Sequence, residues 1–394
     1  MITEIKKFIQ QSNYPSILKQ LIQTNTSNPP GDEKKIIDLI LSFFPVEQIN
    51  YKIINHTDSR SSLIITVAGK NTRKSIAFVG HVDTVPVTDG ESWVHPPFSG
   101  EIDGEYIYGR GASDMKGGIT AMILTAQYFI ENKIIPPYTV KFCFTADEEA
   151  GGLGIQALRD QGDLDDTSEV FICEPSECKI GISEKGALWL KIIVKGKASH
   201  AAQPEEGINA VEYLIAYINA FKTLILTGKR NDPLLGPTTV TITQIKGGIK
   251  SNIIPEEAYA TLDIRTNTDS NHGEIIKKAG ELADLFSQQF PGLKINIMVE
   301  NNRPPVNVDP KASIIRALTK ILNDMHLTTE LKGMHFYTDA SQLVPYKKIP
   351  FVILGPGEDS MAHKKNERIL LNSIATAAEI YIRYILQREG NSNV

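Results

Sequence analysis

Several ionisable side chains stand where apolar runs stop. "SIAFVG", residues 75–80, ends on His81 and, two places on, Asp83; "KFCFTA" ends on Asp147, Glu148 and Glu149; "VFIC" ends on Glu174. A fourth run, "FVILGPG", is followed after a short loop by His363, and Asp114 stands in the Gly-rich stretch "YGRGASDMKGG" ahead of an apolar helical pattern. Taken singly each has an ordinary explanation. Asp114 could cap its helix, Glu148 and Glu149 could be a solvated acidic loop, Glu174 before Pro175 a turn residue, and His363 a surface histidine. Taken together, two histidines and several carboxylates at successive strand ends point to a common ligand. Imidazole with carboxylate suits zinc or a similar divalent ion, whereas an all-oxygen set would suit calcium or magnesium. On extended backbone Asp83 points to the same side as His81, and it can brace that imidazole. Adjacent glutamates point in different directions, so one can hold metal while the other faces a water, the division that metal-assisted hydrolysis requires.

The elements that must position these residues follow from periodicity. Residues 2–24 and 33–44 carry apolar positions at helical spacing, separated by "SNPPGDE". Strand-like "SLIITVAG" and "SIAFVG" come next, then the helix "ITAMILTAQYFIEN", strand "YTVKFCFTA", helix "GIQALRDQG" and strand "EVFICEP". Strands alternating with helices predict a largely parallel sheet, whose ligands gather at the carboxyl ends of its strands. From residue 184 the order changes to βαββαβ, running from "ALWLKIIVKG" to "KINIMV", which predicts a ferredoxin-like α+β unit. The α/β pattern resumes with a helix over 311–325, strand "FVILGPG" and a helix over 369–387. The expected organisation is an α/β domain in two parts, 1–183 and 301–394, with a second, α+β domain inserted at 184–300. Beyond the short polar tail "REGNSNV" there is no low-complexity segment.

Bulk properties narrow the function. With 394 residues, 41% hydrophobic and 22% charged, two soluble domains are expected. A net charge of -5 and a pI near 6.0 provide no basic field for nucleic acid, so a small-molecule substrate is expected. Cys143, Cys173 and Cys178 form neither a CxxC pair nor an even set, which suggests no disulfide framework and fits a reducing cytoplasm. The N-terminal segment lacks the features of a signal peptide, and no apolar run reaches membrane-spanning length.

The stretches "GHVDTVP", "YGRGASDMKGG", "TADEEAGG", "CEP" and "GPGEDSMAHKKNE", in this order and spread over almost the whole chain, resemble the co-catalytic zinc aminoacylase, deacetylase and carboxypeptidase family, of the acetylornithine deacetylase and succinyl-diaminopimelate desuccinylase type. The resemblance implies that 1–183 and 301–394 form the catalytic domain and 184–300 its lid and dimerisation domain, and that the site holds two zinc ions, with cobalt as a substitute. His81 and Glu174 would bind one, Glu149 and His363 the other, and Asp114 would bridge them. Asp83 would orient His81, and Glu148 would be the general base. His200 in "GKASHAAQP" resembles a histidine that reaches the opposite subunit's active site, which implies a homodimer. Asn252 and Arg265 resemble residues that grip the substrate's α-carboxylate. The implied reaction is hydrolysis of an N-acyl amino acid in lysine or arginine biosynthesis. A dipeptidase or carboxypeptidase of the same family is the alternative, and a catalytically silent metal-binding relative a more remote one. "EKGA" at 184–187 and "TDAS" at 338–341 depart from the best-known desuccinylases, with Ala187 and a single Lys185 where those carry a serine and two arginines.

Overall fold

The computed structural model of the chain describes residues 2–88, 92–228 and 231–388, so most of the polar tail lies outside the described residues. The chain divides into two compact units: Met1–Ile182 with Val308–Lys332 and Thr338–Val394, and Ser183–Asn307 with Gly333–Tyr337.

The first unit opens with α1 (Ile2–Gln11), α2 (Tyr14–Gln23) and α3 (Glu33–Ser42). The single helix expected over 2–24 is thus two, because Asn13 leaves the helical region and Pro15 cannot donate a hydrogen bond back across the break. There follow β1 (Asn50–Asn55), β2 (Ser61–Val67), β3 (Asn71–His81), β4 (Glu101–Asp103), β5 (Tyr106–Tyr108), α4 (Gly117–Glu131), β6 (Tyr138–Thr145), α5 (Leu153–Asp160), β7 (Thr167–Ile172) and β8 (Ile180–Glu184).

The second unit is built from β9 (Gly186–Lys195), α6 (Ala210–Leu226), β10 (Thr239–Gly247), β11 (Glu257–Thr266), α7 (His272–Gln289), β12 (Lys294–Arg303) and β13 (Val306–Asn307). The chain then returns through α8 (Ser313–Asp324), β14 (Leu331–Met334), α9 (Ala340–Lys347), β15 (Phe351–Ile353), β16 (Arg368–Leu370) and α10 (Leu371–Gln387).

In the first unit's sheet the order β1-β2-β6-β3-β7-β15-β8 places four strands, β6, β3, β7 and β15, side by side and parallel, flanked by antiparallel neighbours. Phe142, Phe78 and Phe171 stand in register across β6, β3 and β7, with ring centroids 5.5 Å and 4.6 Å apart, and Tyr381 of α10 tilts onto Phe78 at 5.0 Å. The aromatic row fixes register. Counting onward from it, His81 and Glu174 each lie three residues past their phenylalanine and Glu148 six past its own, so the strands deliver these side chains to one edge. Helix α4 is buried over nearly its whole length and packs on α10.

The second unit is a four-stranded antiparallel sheet in the order β10-β11-β9-β12, the ferredoxin-like order for βαββαβ. Alternate residues of β9, namely Leu188, Leu190, Ile192 and Val194, bury themselves against Leu214, Tyr217 and Phe221 of α6 and Ala279 and Ala283 of α7. No described helix is long and apolar enough to cross a membrane.

Candidate active site

The four parallel strands end together, and their carboxyl ends carry the candidate ligands. His81 is the last residue of β3; Glu148 and Glu149 follow β6, Glu174 follows β7, and His363 lies in the loop after β15. Asp114 comes from the turn ahead of α4. It does not cap that helix, which begins at Gly117; its backbone is extended (φ -115, ψ 95), which turns the carboxylate toward the strand ends.

Asp114 stands between the two histidines. Its Oδ1 lies 3.0 Å from Nε2 of His81, and its Oδ2 lies 3.3 Å from Nε2 of His363. Glu174 Oε1 is 3.4 Å from the same His81 nitrogen, and Glu149 Oε2 is 3.0 Å from the same His363 nitrogen. Two donor sets result, one of His81, Glu174 and Asp114 Oδ1, the other of His363, Glu149 and Asp114 Oδ2. One oxygen of Glu148 also falls within 4.8 Å of the donor atoms of His81 and Glu174. His81, Glu148 and Glu174 are buried, whereas the side chain of His363 is 54% exposed.

His81 Nδ1 faces the backbone carbonyl of Asp83 at 3.0 Å and the Asp83 carboxylate at 3.5 Å. Both are acceptors, so Nδ1 carries the proton and Nε2 is the atom available to a metal. The bracing expected of Asp83 is therefore divided. Its carbonyl holds the ring, and its carboxylate accepts the backbone N–H of Glu148 at 3.1 Å and of Glu149 at 3.2 Å.

The donor set fits a pair of divalent cations. Asp114, Glu148, Glu149 and Glu174 converge here on two imidazoles, with the buried Lys116 within electrostatic reach of Asp83, and buried carboxylates require neutralising charge. Glu149 Oε1 is buried without a hydrogen-bond partner, as a ligand atom lacking its metal would be. Burial drives the Glu174 pKa up to about 7, against the opposing pull of His81. Burial and the neighbouring Asp114 charge raise Glu149 as well. Hydrogen bonds to Asp114 and Glu149 hold His363 as a cation up to about 11. Burial works against a charged His81, but the surrounding carboxylates win and keep its pKa well above the ordinary value. With no metal bound, both imidazoles carry a proton at pH 7 and must shed it to ligate. Metal uptake at that pH should then release about two protons per chain, with a further fraction from Glu174, and apparent affinity should rise with pH. Calorimetry of zinc binding in buffers of different ionisation enthalpy measures the number; no proton release would contradict these protonation states.

Several supporting residues were not among the sequence candidates. Glu367 is fully buried and accepts hydrogen bonds from Arg110 at 2.7 Å and from the backbone N–H groups of Gly111, Ser113 and Asp114 at 2.9, 2.9 and 3.0 Å. It thereby fixes the turn that presents Asp114. Its signal was present, as the last residue of "GPGEDSMAHKKNE", four places beyond His363. Gly118 and Gly355 close on the backbone that carries Glu174 from two sides. A Cβ on either would come within 2.1 Å and 2.2 Å, respectively, of the Cys173 carbonyl oxygen.

The remaining sequence candidates lie in the second unit. His200 and Asn252 are exposed on adjoining turns, where the N–H of Ala201 donates to the Asn252 carbonyl at 3.0 Å and His200 forms a bridge with Ile253. The His200 ring accepts from the N–H of Ala202 through Nδ1 at 3.1 Å. Arg265 is on β11, its guanidinium paired with both oxygens of Asp263 at 2.9 and 3.1 Å.

A layered α/β unit whose parallel strands end in two adjoining histidine and carboxylate sets presents a candidate metal centre. The model of Peptidase family M20/M25/M40 matches residues 77–387, and the chain belongs to this family, whose enzymes use a dinuclear metal site; it is a metal-dependent amidohydrolase. It is 26% identical over 396 residues to a probable succinyl-diaminopimelate desuccinylase of Staphylococcus epidermidis, covering 93% of this chain and 95% of that protein. It is also 26% identical over 389 residues to a succinyl-diaminopimelate desuccinylase of Helicobacter hepaticus, covering 94% and 96%. Among solved structures, an M20 family metallo-carboxypeptidase of Sulfolobus solfataricus shares the fold, with a TM-score of 0.77 at 16% identity, covering 95% of this chain and 99% of that one.

Proposed function

We propose that the protein hydrolyses the amide bond of an N-acyl amino acid, as a deacetylase or desuccinylase, using two zinc ions for which cobalt can substitute. The observation that carries this reading is the placement of Asp114, each of whose oxygens faces a different histidine. His81 and Glu174 would hold one ion, His363 and Glu149 the other, and Asp114 both. The bound pair would polarise the scissile carbonyl and make a water acidic near neutral pH. Glu148 takes the proton from that water as it attacks and returns it to the leaving amine nitrogen. The carboxylate of Asp83, by holding the Glu148 N–H, keeps the base beside the donor atoms of His81 and Glu174.

The desuccinylase names of two relatives support an acyl amino acid as substrate. The test is a panel of N-acetylornithine, N-succinyl-diaminopimelate, other N-acyl amino acids and dipeptides, assayed after chelation and again after adding zinc or cobalt. The expected result is loss on chelation, recovery with either metal, and preference for an acyl amino acid. Preference for dipeptides would shift the assignment to a dipeptidase, and turnover indifferent to chelation would overturn it.

His200 and Asn252 supply a reason for a homodimer. They lie beyond the end of the β9 and β11 pair where Lys195 faces Glu257, whereas Arg265 faces Ala187 at the other end. Eight residues of strand at roughly 3.3 Å each put these ends about 26 Å apart. No small substrate spans that length, so His200 and Arg265 can serve one reaction only if one of them comes from a second copy. Edge strand β10 is exposed at every position but Val240 and presents Ile242 and Ile245, and α6 exposes Ile215 and Leu224, a surface suited to pairing with its own copy. Light scattering should give twice the chain mass, and two inactive variants, His200→Ala and Glu148→Ala, should recover activity on mixing, since one mixed site is then intact. A fully active monomer would refute it.

A further inference from the structure

The turn that carries Glu148 and Glu149 is held from beneath by side chains far away in sequence. Asn28, in the loop "SNPPGDE" between α2 and α3, is almost fully buried, and its amide nitrogen donates to Asp83 Oδ2 and to Asp147 Oδ1, each at 2.9 Å. Asp83 Oδ2 is the oxygen that also accepts the N–H of Glu149, while Oδ1 accepts that of Glu148. Asp147 immediately precedes Glu148 and has a left-handed backbone (φ 71), which reverses the chain at the strand end. Its Oδ1 also receives Arg60 Nη1 at 2.8 Å, and Oδ2 accepts the N–H of Leu153 at 3.3 Å. The remainder of the Arg60 guanidinium is taken up by Glu33, itself fully buried, through Nε at 3.2 and 3.0 Å and through Nη2. The loop carrying Asn28 is tied to the same place by backbone, with the N–H of Asn28 donating to the Thr84 carbonyl at 2.8 Å and that of Thr84 to the Thr26 carbonyl at 3.1 Å.

One amide group therefore joins the carboxylate beneath Glu149 to the carboxylate beside Glu148, and one guanidinium neutralises the far side. An amide nitrogen has two hydrogens, and both are spent on carboxylates. No other charge-neutral side chain of this size donates twice from one atom, and an aspartate there would set three carboxylates against each other.

We propose that Asn28, backed by Arg60, is a positioning residue that sets the turn from which Glu149 reaches the second metal and Glu148 reaches the water. The proposal rests on the ligand and base assignments above. Because Asn28 meets Asp83 on the oxygen that serves Glu149, the second metal position should feel its loss more than the first, which draws on His81 and Glu174.

The test is cobalt titration of the metal-free protein, followed by its visible absorption and by calorimetry, for wild type, Asn28→Ala, Asn28→Asp and Arg60→Lys. Leu318→Ala, in the buried face of α8, serves as a control for general destabilisation. The Asn28 variants should bind the first equivalent as the wild type does and the second at least about 10-fold more weakly, with an altered second spectrum. On whichever substrate the wild type turns over, kcat should fall by about 10- to 100-fold with KM within about twofold. Arg60→Lys keeps the charge and tests the same claim should the Asn28 variants fail to fold, with the same selective weakening of the second equivalent. If both equivalents titrate as in wild type, or weaken together as in Leu318→Ala, the proposal is wrong. A wild type that binds two cobalt ions but hydrolyses nothing in the panel would defeat the functional reading and still leave the titration to decide this one.

Discussion

Replacing Glu148 with alanine should lower kcat by about 10³- to 10⁴-fold, at the upper end of what a general base contributes, while two metal ions remain bound and KM changes little. The physical reason is the separation of tasks on adjacent residues. Glu149 faces His363 and Asp114, whereas Glu148 is turned toward His81 and Glu174 from the same stretch of chain. Its backbone is fixed by the Asp83 carboxylate and does not depend on its own side chain. Deleting the carboxylate thus leaves the remaining donors where they are and removes the group proposed to accept and return the proton. Glu148→Asp, one methylene shorter, should retain an intermediate rate, because the carboxylate persists but no longer reaches as far. Steady-state kinetics combined with elemental analysis of the desalted variants separates the two effects. A Glu148→Ala protein within tenfold of wild type would remove Glu148 from the chemistry. One that lost a metal would make it a ligand.

Replacing Asp114 should damage both metal positions at once. Its Oδ1 and Oδ2 are the shared members of the two donor sets, one facing His81 and the other His363. In Asp114→Ala each set keeps a histidine and a glutamate, too few for tight binding of zinc in a tetrahedral site. The expected result is less than one equivalent of zinc retained after desalting, and turnover reduced by at least about 10³-fold, the rate equivalent of several kcal/mol of lost transition-state stabilisation. Asp114→Asn retains one oxygen acceptor and should hold one metal better than the other. Two equivalents of zinc and near-normal kcat in Asp114→Ala would show that the carboxylate does not bridge.

How much of this was legible in the sequence depended on where the signal lay along the chain. His81, Glu148, Glu149 and Glu174 could be found because apolar runs mark buried parallel strands, and polar residues directly after them fall at the one edge where such a sheet exposes side chains. The βαββαβ order was equally plain, since β9, β11 and the helices α6 and α7 each show their own period. What escaped was held by contacts across the chain. Asn28 meets Asp147 across 119 positions and Arg110 meets Glu367 across 257, and neither interaction leaves any periodic trace in the residues around it. Strand β1 was missed for a different reason: of its six residues only Ile54 is buried, so the edge strand lacks the alternation that would announce it. The break between α1 and α2 lay in plain view as "SNYPS", yet the apolar spacing continued across it and outweighed the proline.

The proposed placement of two metals about Asp114 is the assignment on which the others depend. Anomalous diffraction from crystals grown with zinc measures it directly. The expected map has two peaks per chain, one at about 2.0–2.2 Å from His81 Nε2 and a Glu174 oxygen, the other at the same distance from His363 Nε2 and a Glu149 oxygen, each touching a different oxygen of Asp114. A single peak, or a zinc bound by Glu148 while Asp114 stood aside, would contradict it.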